Sequence, residues 1–173
     1  MRTALLALFY GVSGTFSLIN AAWPLRSDSP VVLALAIGVL GVVLAAVIWG
    51  RGPRLTDTEV HAALLLAAAL VALLASQSRT SVGVVALGPI VITLCLYAGW
   101  FLPLITARLH AAGIIALASI GAALARPSGF LVFWIVAVVT AAFLTEIQGR
   151  LAEQLRRAAT TDPLTGLANR RAW

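Results

Sequence analysis

The stretch that decides the fold is residues 30–49, which reads P-V-V-L-A-L-A-I-G-V-L-G-V-V-L-A-A-V-I-W. None of these side chains is charged, and more than half of them are Val, Leu or Ile. A helix that crosses the hydrocarbon core of a bilayer needs about 20 predominantly apolar residues. We therefore predict that residues 30–49 form a membrane-spanning helix.

The rest of the chain has the same apolar character. Hydrophobic residues make up 61% of the 173 residues and charged residues only 10%, whereas soluble domains carry about 25% charged residues. The composition predicts an integral membrane protein with the lipid bilayer as its main partner. The net charge is +6, but the arginines are dispersed, which argues against nucleic acid as a partner. Cys95 lies in an apolar run and is interpreted as a small core hydrophobe.

Six segments are long and apolar enough, or nearly so, to span a membrane: residues 3–25, 30–49, 60–76, 82–103, 109–125 and 129–148. The predicted fold class is an all-α membrane protein, with a six-helix transmembrane bundle in residues 1–148 and a C-terminal cytoplasmic signalling helix. The short connections force neighbouring helices to run antiparallel and leave no room for an extracellular domain. Any sensed signal is therefore expected to act within the bilayer or at its surface. Pro89, inside the fourth segment, is interpreted as a tolerated proline.

The arginines predict the orientation, because cytoplasmic loops carry an excess of basic residues. With an even number of spans, both termini lie on one side. Placing the C-terminus in the cytoplasm puts Arg2, Arg51, Arg54, Arg108, Arg150, Arg156 and Arg157 inside and Arg26, Arg79 and Arg126 outside. We expect a multi-pass membrane protein with both termini cytoplasmic. A signal peptide in residues 1–22 is disfavoured because the apolar stretch is longer than usual.

Polar side chains inside the bundle are few. The first predicted helix places four of them on one face, at the spacing of Tyr10, Ser13, Ser17 and Asn20. Hydrogen bonds between helices are the favoured interpretation, and a ligand-sensing site is the alternative. His61 and His110 are interpreted as interfacial residues in preference to ligands of haem or metal. No metal site is predicted.

The sixth segment is predicted to continue beyond the membrane as a stalk helix over residues 144–160. Apolar side chains recur at spacings of three and four, and the proposed seam comprises Ile147, Leu151, Leu155 and Ala158. This pattern is compatible with a parallel coiled coil between two copies of the chain. An amphipathic helix lying on the lipid headgroups is the alternative. Gly149 is interpreted as a joint at the membrane surface, because glycine weakens a helix by about 1 kcal/mol.

Residues 161–173 read T-D-P-L-T-G-L-A-N-R-R-A-W and form the polar end of the sequence. Pro163 disfavours helical geometry at Asp162 and lacks an amide donor. Asp162 can accept hydrogen bonds from the first amides of a following helix, and Gly166 adds conformational freedom. These features predict a capped turn that opens a polar helix, which by itself is also typical of an ordinary cytoplasmic tail.

The same string resembles the opening of a GGDEF domain, the catalytic module of bacterial diguanylate cyclases. The matching positions are Asp162, Leu164, Thr165, Gly166, Leu167, Asn169, Arg170 and Arg171. The resemblance implies that residues 161–173 begin such a domain and that the protein lies in the bacterial inner (cytoplasmic) membrane. The implied parent condenses two GTP molecules into cyclic di-GMP with Mg²⁺ or Mn²⁺. It also implies a homodimer, because each subunit of that family binds one nucleotide.

The printed sequence does not contain the Gly-Gly-(Asp/Glu)-Glu-Phe loop of that family. No residue of this chain is therefore expected to be catalytic, and the chain is interpreted as the sensor portion of the parent protein. One alternative is the sensor of a degenerate GGDEF domain that only binds nucleotide. The other is a small polytopic transport or structural protein. Transport is disfavoured because the acids and arginines gather in the connections and towards the span ends.

The orientation gives the first testable prediction. A reporter active only in the periplasm should give signal when fused after Arg79 or Arg126, because both positions are predicted to lie outside. Fusions after Arg54 or Arg157 should be silent. The reverse pattern of reporter activity would overturn the topology with both termini inside.

Overall fold

The structure is a computed structural model that describes residues 1–24, 30–125 and 129–160. Every regular element in these ranges is a helix, and none of the described residues is in a strand. The α-helices are α1 (Arg2–Ala22), α2 (Val31–Arg51), α3 (Asp57–Ser76), α4 (Ser81–Val85), α5 (Gly88–Phe101), α6 (Leu104–Ala125) and α7 (Leu131–Thr160), with a 3₁₀ turn at Gly52–Arg54. The all-α prediction is confirmed.

Six stretches within the described residues are helical, long and apolar enough to cross a membrane. They are Arg2–Ala22, Val31–Arg54, Asp57–Ser76, Ser81–Phe101, Leu104–Ala125 and Leu131–Ala159. The count agrees with the six predicted segments and indicates a multi-pass membrane protein. The physical reason is that only a helix bonds its own backbone groups where no water reaches them.

The fourth segment differs from its prediction, because it consists of two helices. Thr80 caps α4 by accepting a hydrogen bond from the Gly83 amide at 3.1 Å. Helix α4 ends at Val85, and α5 begins at Gly88 with Pro89 in its first turn. Proline is well accommodated there because an amide at that position has no partner within the helix. Pro89 therefore stands at a helix start and not inside a continuous helix.

The connection between the fourth and fifth segments is also shorter than predicted. Residues 104–108 were expected to link two spans, but they form the first turn of α6. Leu102 and Pro103 are left as the link between α5 and α6. So short a link makes α5 and α6 antiparallel neighbours.

The chain divides into two compact units, Met1–Leu70 and Val71–Trp173. In the first unit, α1 and α2 pack through glycines. A Cβ on Gly14 would lie 2.8 Å from the Val42 amide nitrogen, and a Cβ on Gly41 would lie 2.8 Å from the Gly14 Cα. The two backbones therefore touch, as small residues allow in membranes. The Tyr10 hydroxyl donates to the Ala63 carbonyl of α3 at 2.5 Å.

In the second unit, α5 packs along α7, and both contact α6. The core side chains are fully or almost fully buried and include Val91, Leu94, Cys95, Ile114 and Ala118. The indole of Trp134 in α7 donates to the Ser119 hydroxyl of α6 at 3.1 Å. Cys95 is buried as a core hydrophobe would be.

The glycine crossing predicts a position-specific effect of alanine. Gly41→Ala should destabilise the first unit by roughly 1–3 kcal/mol, because its methyl group meets backbone atoms that cannot rotate away. Gly50→Ala is the matched control in the same helix, since its Cβ would have no neighbour within 4 Å. The control should be neutral or stabilising by up to about 1 kcal/mol. Thermal unfolding in detergent measures both, and equal effects would contradict the close crossing.

Candidate functional site

The motif residues Asp162, Leu164, Thr165, Gly166, Leu167, Asn169, Arg170 and Arg171 lie outside the described residues. The residues next to them are the end of α7, which continues to Thr160. The candidate site is therefore the C-terminal half of α7 together with the ends of α5 and α6 that it contacts. Its parts come from α5, α6 and α7.

The polar face of α1 contains two side chains that bond to neighbouring helices. Tyr10 bonds to the Ala63 carbonyl, and the Ser17 hydroxyl donates to the Ala34 carbonyl of α2 at 2.8 Å. Ser13 is half-buried and Asn20 is exposed. The contacts of Tyr10 and Ser17 are of the kind expected for hydrogen bonds between helices.

The two histidines lie in different units, His61 in α3 and His110 in α6. The Nδ1 atom of His110 is 3.0 Å from the Thr106 carbonyl oxygen one turn earlier. Among the described residues, no group of three or more His, Cys, Asp or Glu side chains could hold a metal ion.

Helix α7 is continuous for 30 residues and passes through Gly149 without a break. Its buried face near the C-terminal half consists of Thr145, Gly149 and Ala152, at the spacing of one helix face. A Cβ on Gly99 of α5 would lie 2.9 Å from the Thr145 carbonyl oxygen. A Cβ on Gly149 would lie 2.7 Å from the Leu104 Cδ1. Gly149 thus lies on the packed face of an unbroken helix, against the end of the Leu104 side chain, and its interpretation as a joint stays a prediction.

A charged cluster joins the first turns of α6 to α7. Arg108 donates from Nε and Nη2 to the two carboxylate oxygens of Glu146, at 2.9 and 2.6 Å. Arg150, one turn further along α7, donates to the same carboxylate at 2.6 Å. A bidentate arginine–carboxylate pair fixes orientation as well as distance. The pair of Arg108 and Glu146 therefore fixes the position of the start of α6 along the axis of α7.

A second polar contact joins α7 to the end of α5. The Nη2 atom of Arg156 lies 3.0 Å from the Trp100 carbonyl and 3.2 Å from the Leu102 carbonyl. The last carbonyls of a helix have no partner within it and carry its negative dipole end, so a cation there is favourable. Arg156 and Arg157 also pair with Glu153 at 3.5 and 3.1 Å. These contacts were not predicted from the sequence.

The predicted seam lies on another face of α7. Ile147, Leu151 and Leu155 keep 44%, 42% and 51% of their surfaces exposed, and Ala158 is also exposed. These four residues are called the exposed stripe below. The buried face contacts α5 and α6, and no described part of the chain covers the exposed stripe fully, so it can contact lipid or a second copy.

Comparisons with protein-family models, with curated proteins and with solved structures find nothing that matches this chain.

The contact of Arg156 with α5 gives a testable prediction. Arg156→Gln should lower stability by about 1 kcal/mol, because two helix-end carbonyls lose a charged donor. Arg150→Gln is the matched control, since the Arg150 side chain is 66% exposed and donates to Glu146 on the same helix. Thermal unfolding in detergent should show a larger loss for Arg156→Gln. An equal or smaller loss would contradict its role in holding α7 against α5.

Proposed function

We propose that this chain is the membrane sensor portion of a diguanylate cyclase-like signalling protein. One observation carries the proposal: α7 combines a span-length apolar part with an unbroken continuation to Thr160. The string that resembles the start of a GGDEF domain begins with Asp162, two residues later. A continuous helix that enters a catalytic domain is a direct mechanical connection between that domain and the membrane.

The contacts of α7 support a role in transmission. Tight packing at Gly149 and the Arg108–Glu146 pair hold the helix against α5 and α6. A shift of either helix within the bilayer would therefore be passed to α7 as a rotation or translation, because close-packed helices do not deform continuously. On this proposal the signal acts within the membrane and the output is the position of α7.

The proposed partner is a second copy of the chain, joined through the exposed stripe. In the proposed parent, each of two GGDEF domains would bind one GTP with Mg²⁺ or Mn²⁺, so their distance would control the formation of cyclic di-GMP. Full burial of one Leu or Ile side chain contributes roughly 1.5–3 kcal/mol. Ile147, Leu151 and Leu155 are already about half buried, so each would gain roughly half of that contribution when two exposed stripes pair.

The function is tested with a chimera that joins residues 1–173 in frame to the remainder of an active GGDEF domain. The purified chimera, reconstituted in vesicles with GTP and Mg²⁺, should make cyclic di-GMP. Leu151→Asp should lower the rate by about tenfold or more, because the seam loses apolar burial and gains two opposed carboxylates. Ala159→Asp, which adds the same charge at an exposed position outside the stripe, should have little effect.

An inactive chimera whose GGDEF part still binds GTP would count against a cyclase sensor. If Leu151→Asp and the parent chimera make cyclic di-GMP at equal rates, the exposed stripe has no part in the mechanism, although the chain could still be a signalling protein.

The seam itself is tested by cross-linking. Single cysteines placed from Ile147 to Ala158 in a Cys95→Ala background should cross-link between copies with a period near 3.5 residues, highest on the exposed stripe. Membrane insertion should survive Leu151→Asp, whereas cross-linking should fall sharply. Weak and aperiodic cross-linking would indicate a helix that lies on the headgroups instead.

A further inference from the structure

The first unit has an open groove between α1 and α2, with a volume of about 820 Å³. Its lining includes Gly11 and Ala45, which face each other closely enough that a Cβ on Gly11 would lie 3.5 Å from the Ala45 Cβ. Larger side chains from both helices also line it, and Leu8, Phe16 and Trp49 are 58%, 67% and 69% exposed. Small residues between large ones give the groove its depth.

The groove offers an occupant almost nothing but apolar contact. Its one hydroxyl-bearing lining residue is Thr15, and that hydroxyl already donates to the Gly11 carbonyl at 2.8 Å. A polar ligand would lose its water without gaining hydrogen bonds in return, which is costly. A hydrocarbon chain has no hydrogen bonds to lose, and it would fill the space between the small residues.

The extent of the groove corresponds to one leaflet of a bilayer. At 1.5 Å per residue it runs for about 12 Å along α2, from Val42 to Gly50, and for about 18 Å along α1, from Ala7 to Ile19. The hydrocarbon core is about 30 Å thick, so both lengths are close to half of it. A helix from a second copy would be expected to pack along the full length of α2. A groove confined to one half of that length fits a single acyl chain better.

Positive charge follows directly after the groove along the chain. Arg51 pairs with Glu59 at 2.6 Å, and Arg2 pairs with Asp57 at 2.6 Å. Arg54 is exposed, and among the described residues it has no carboxylate partner. It follows Gly50, the last residue of the groove, by four positions and one 3₁₀ turn. Its guanidinium can therefore meet an anion at the level where a lipid headgroup would sit.

We propose that the groove binds one acyl chain of an anionic phospholipid whose phosphate contacts Arg54. The arginine supplies the preference for a negative headgroup, and the apolar groove supplies the contact with the chain. This site lies wholly within the first unit and does not depend on the proposed signalling function.

Trp49, which lines the groove, is the reporter. The full chain is reconstituted in vesicles that contain lipids brominated along the acyl chain, either phosphatidylglycerol or phosphatidylcholine. The contribution of Trp49 is the difference in quenching between the parent chain and Trp49→Phe. We expect brominated phosphatidylglycerol to occupy the site about fivefold more readily than brominated phosphatidylcholine, as one arginine near an anionic lipid predicts.

Two pairs of variants separate the parts of the proposal. Arg54→Gln should bring the ratio of site occupancy by phosphatidylglycerol to that by phosphatidylcholine close to one. Arg79→Gln, which changes an exposed arginine of the other unit, should leave this ratio unchanged. Ala46→Phe, which fills the groove, should reduce quenching of Trp49 by both lipids, whereas Val47→Phe, which does not line it, should not. Equal quenching of the parent by both lipids would overturn the proposal. Trp49 shielded from both lipids would also overturn it, and would assign the groove to a second copy.

Discussion

The constraint on which the whole structure depends is the absence of water in the hydrocarbon core of a bilayer. Each backbone amide and carbonyl there must find its partner within the protein, and a helix provides one for every interior residue. The few polar side chains follow the same rule. The buried hydroxyl of Thr145 donates to the Ala141 carbonyl at 2.7 Å, one turn back on the same helix. Tyr10 and Ser17 instead use carbonyls of neighbouring helices, which ties elements of the first unit together.

The hydrocarbon core also weakens the hydrophobic driving force for packing between helices, because lipid tails are as apolar as Leu or Val. Helices associate closely only where small residues let backbones touch. Gly14 and Gly41 do this between α1 and α2, and Gly99 does it where α5 meets the backbone of α7 at Thr145. At Gly121 of α6, an added Cβ would collide with the Ala72 carbonyl oxygen. Glycine is thus the specific packing residue in both units, while Leu, Val and Ile cover the surfaces that lipid can contact.

Polar interactions concentrate where the helices end. Glu146 accepts hydrogen bonds from Arg108 and Arg150, and Arg156 donates to carbonyls at the end of α5. At the C-terminal end of α5, unsatisfied carbonyls and the negative end of the helix dipole favour the cation of Arg156. The effect on α7 is that one face is held by its own unit while the exposed stripe, with Leu151 at its centre, stays open. On the proposed signalling function, this arrangement would let α7 pass a displacement of α5 or α6 to a second copy of the chain.

The sequence by itself determined the fold class and the number of spans. A helix can span a bilayer if its segment is long and hydrophobic enough, and both are local properties of the sequence. It also indicated that the pattern of Ile147, Leu151 and Leu155 forms one face of a helix. It did not predict that Pro89 starts a helix, that Gly149 is a packing point, or that Arg156 bonds to α5. Those properties depend on which helices become neighbours. Neighbour choice is set by contacts between residues far apart in the chain, so only the tertiary structure decided it.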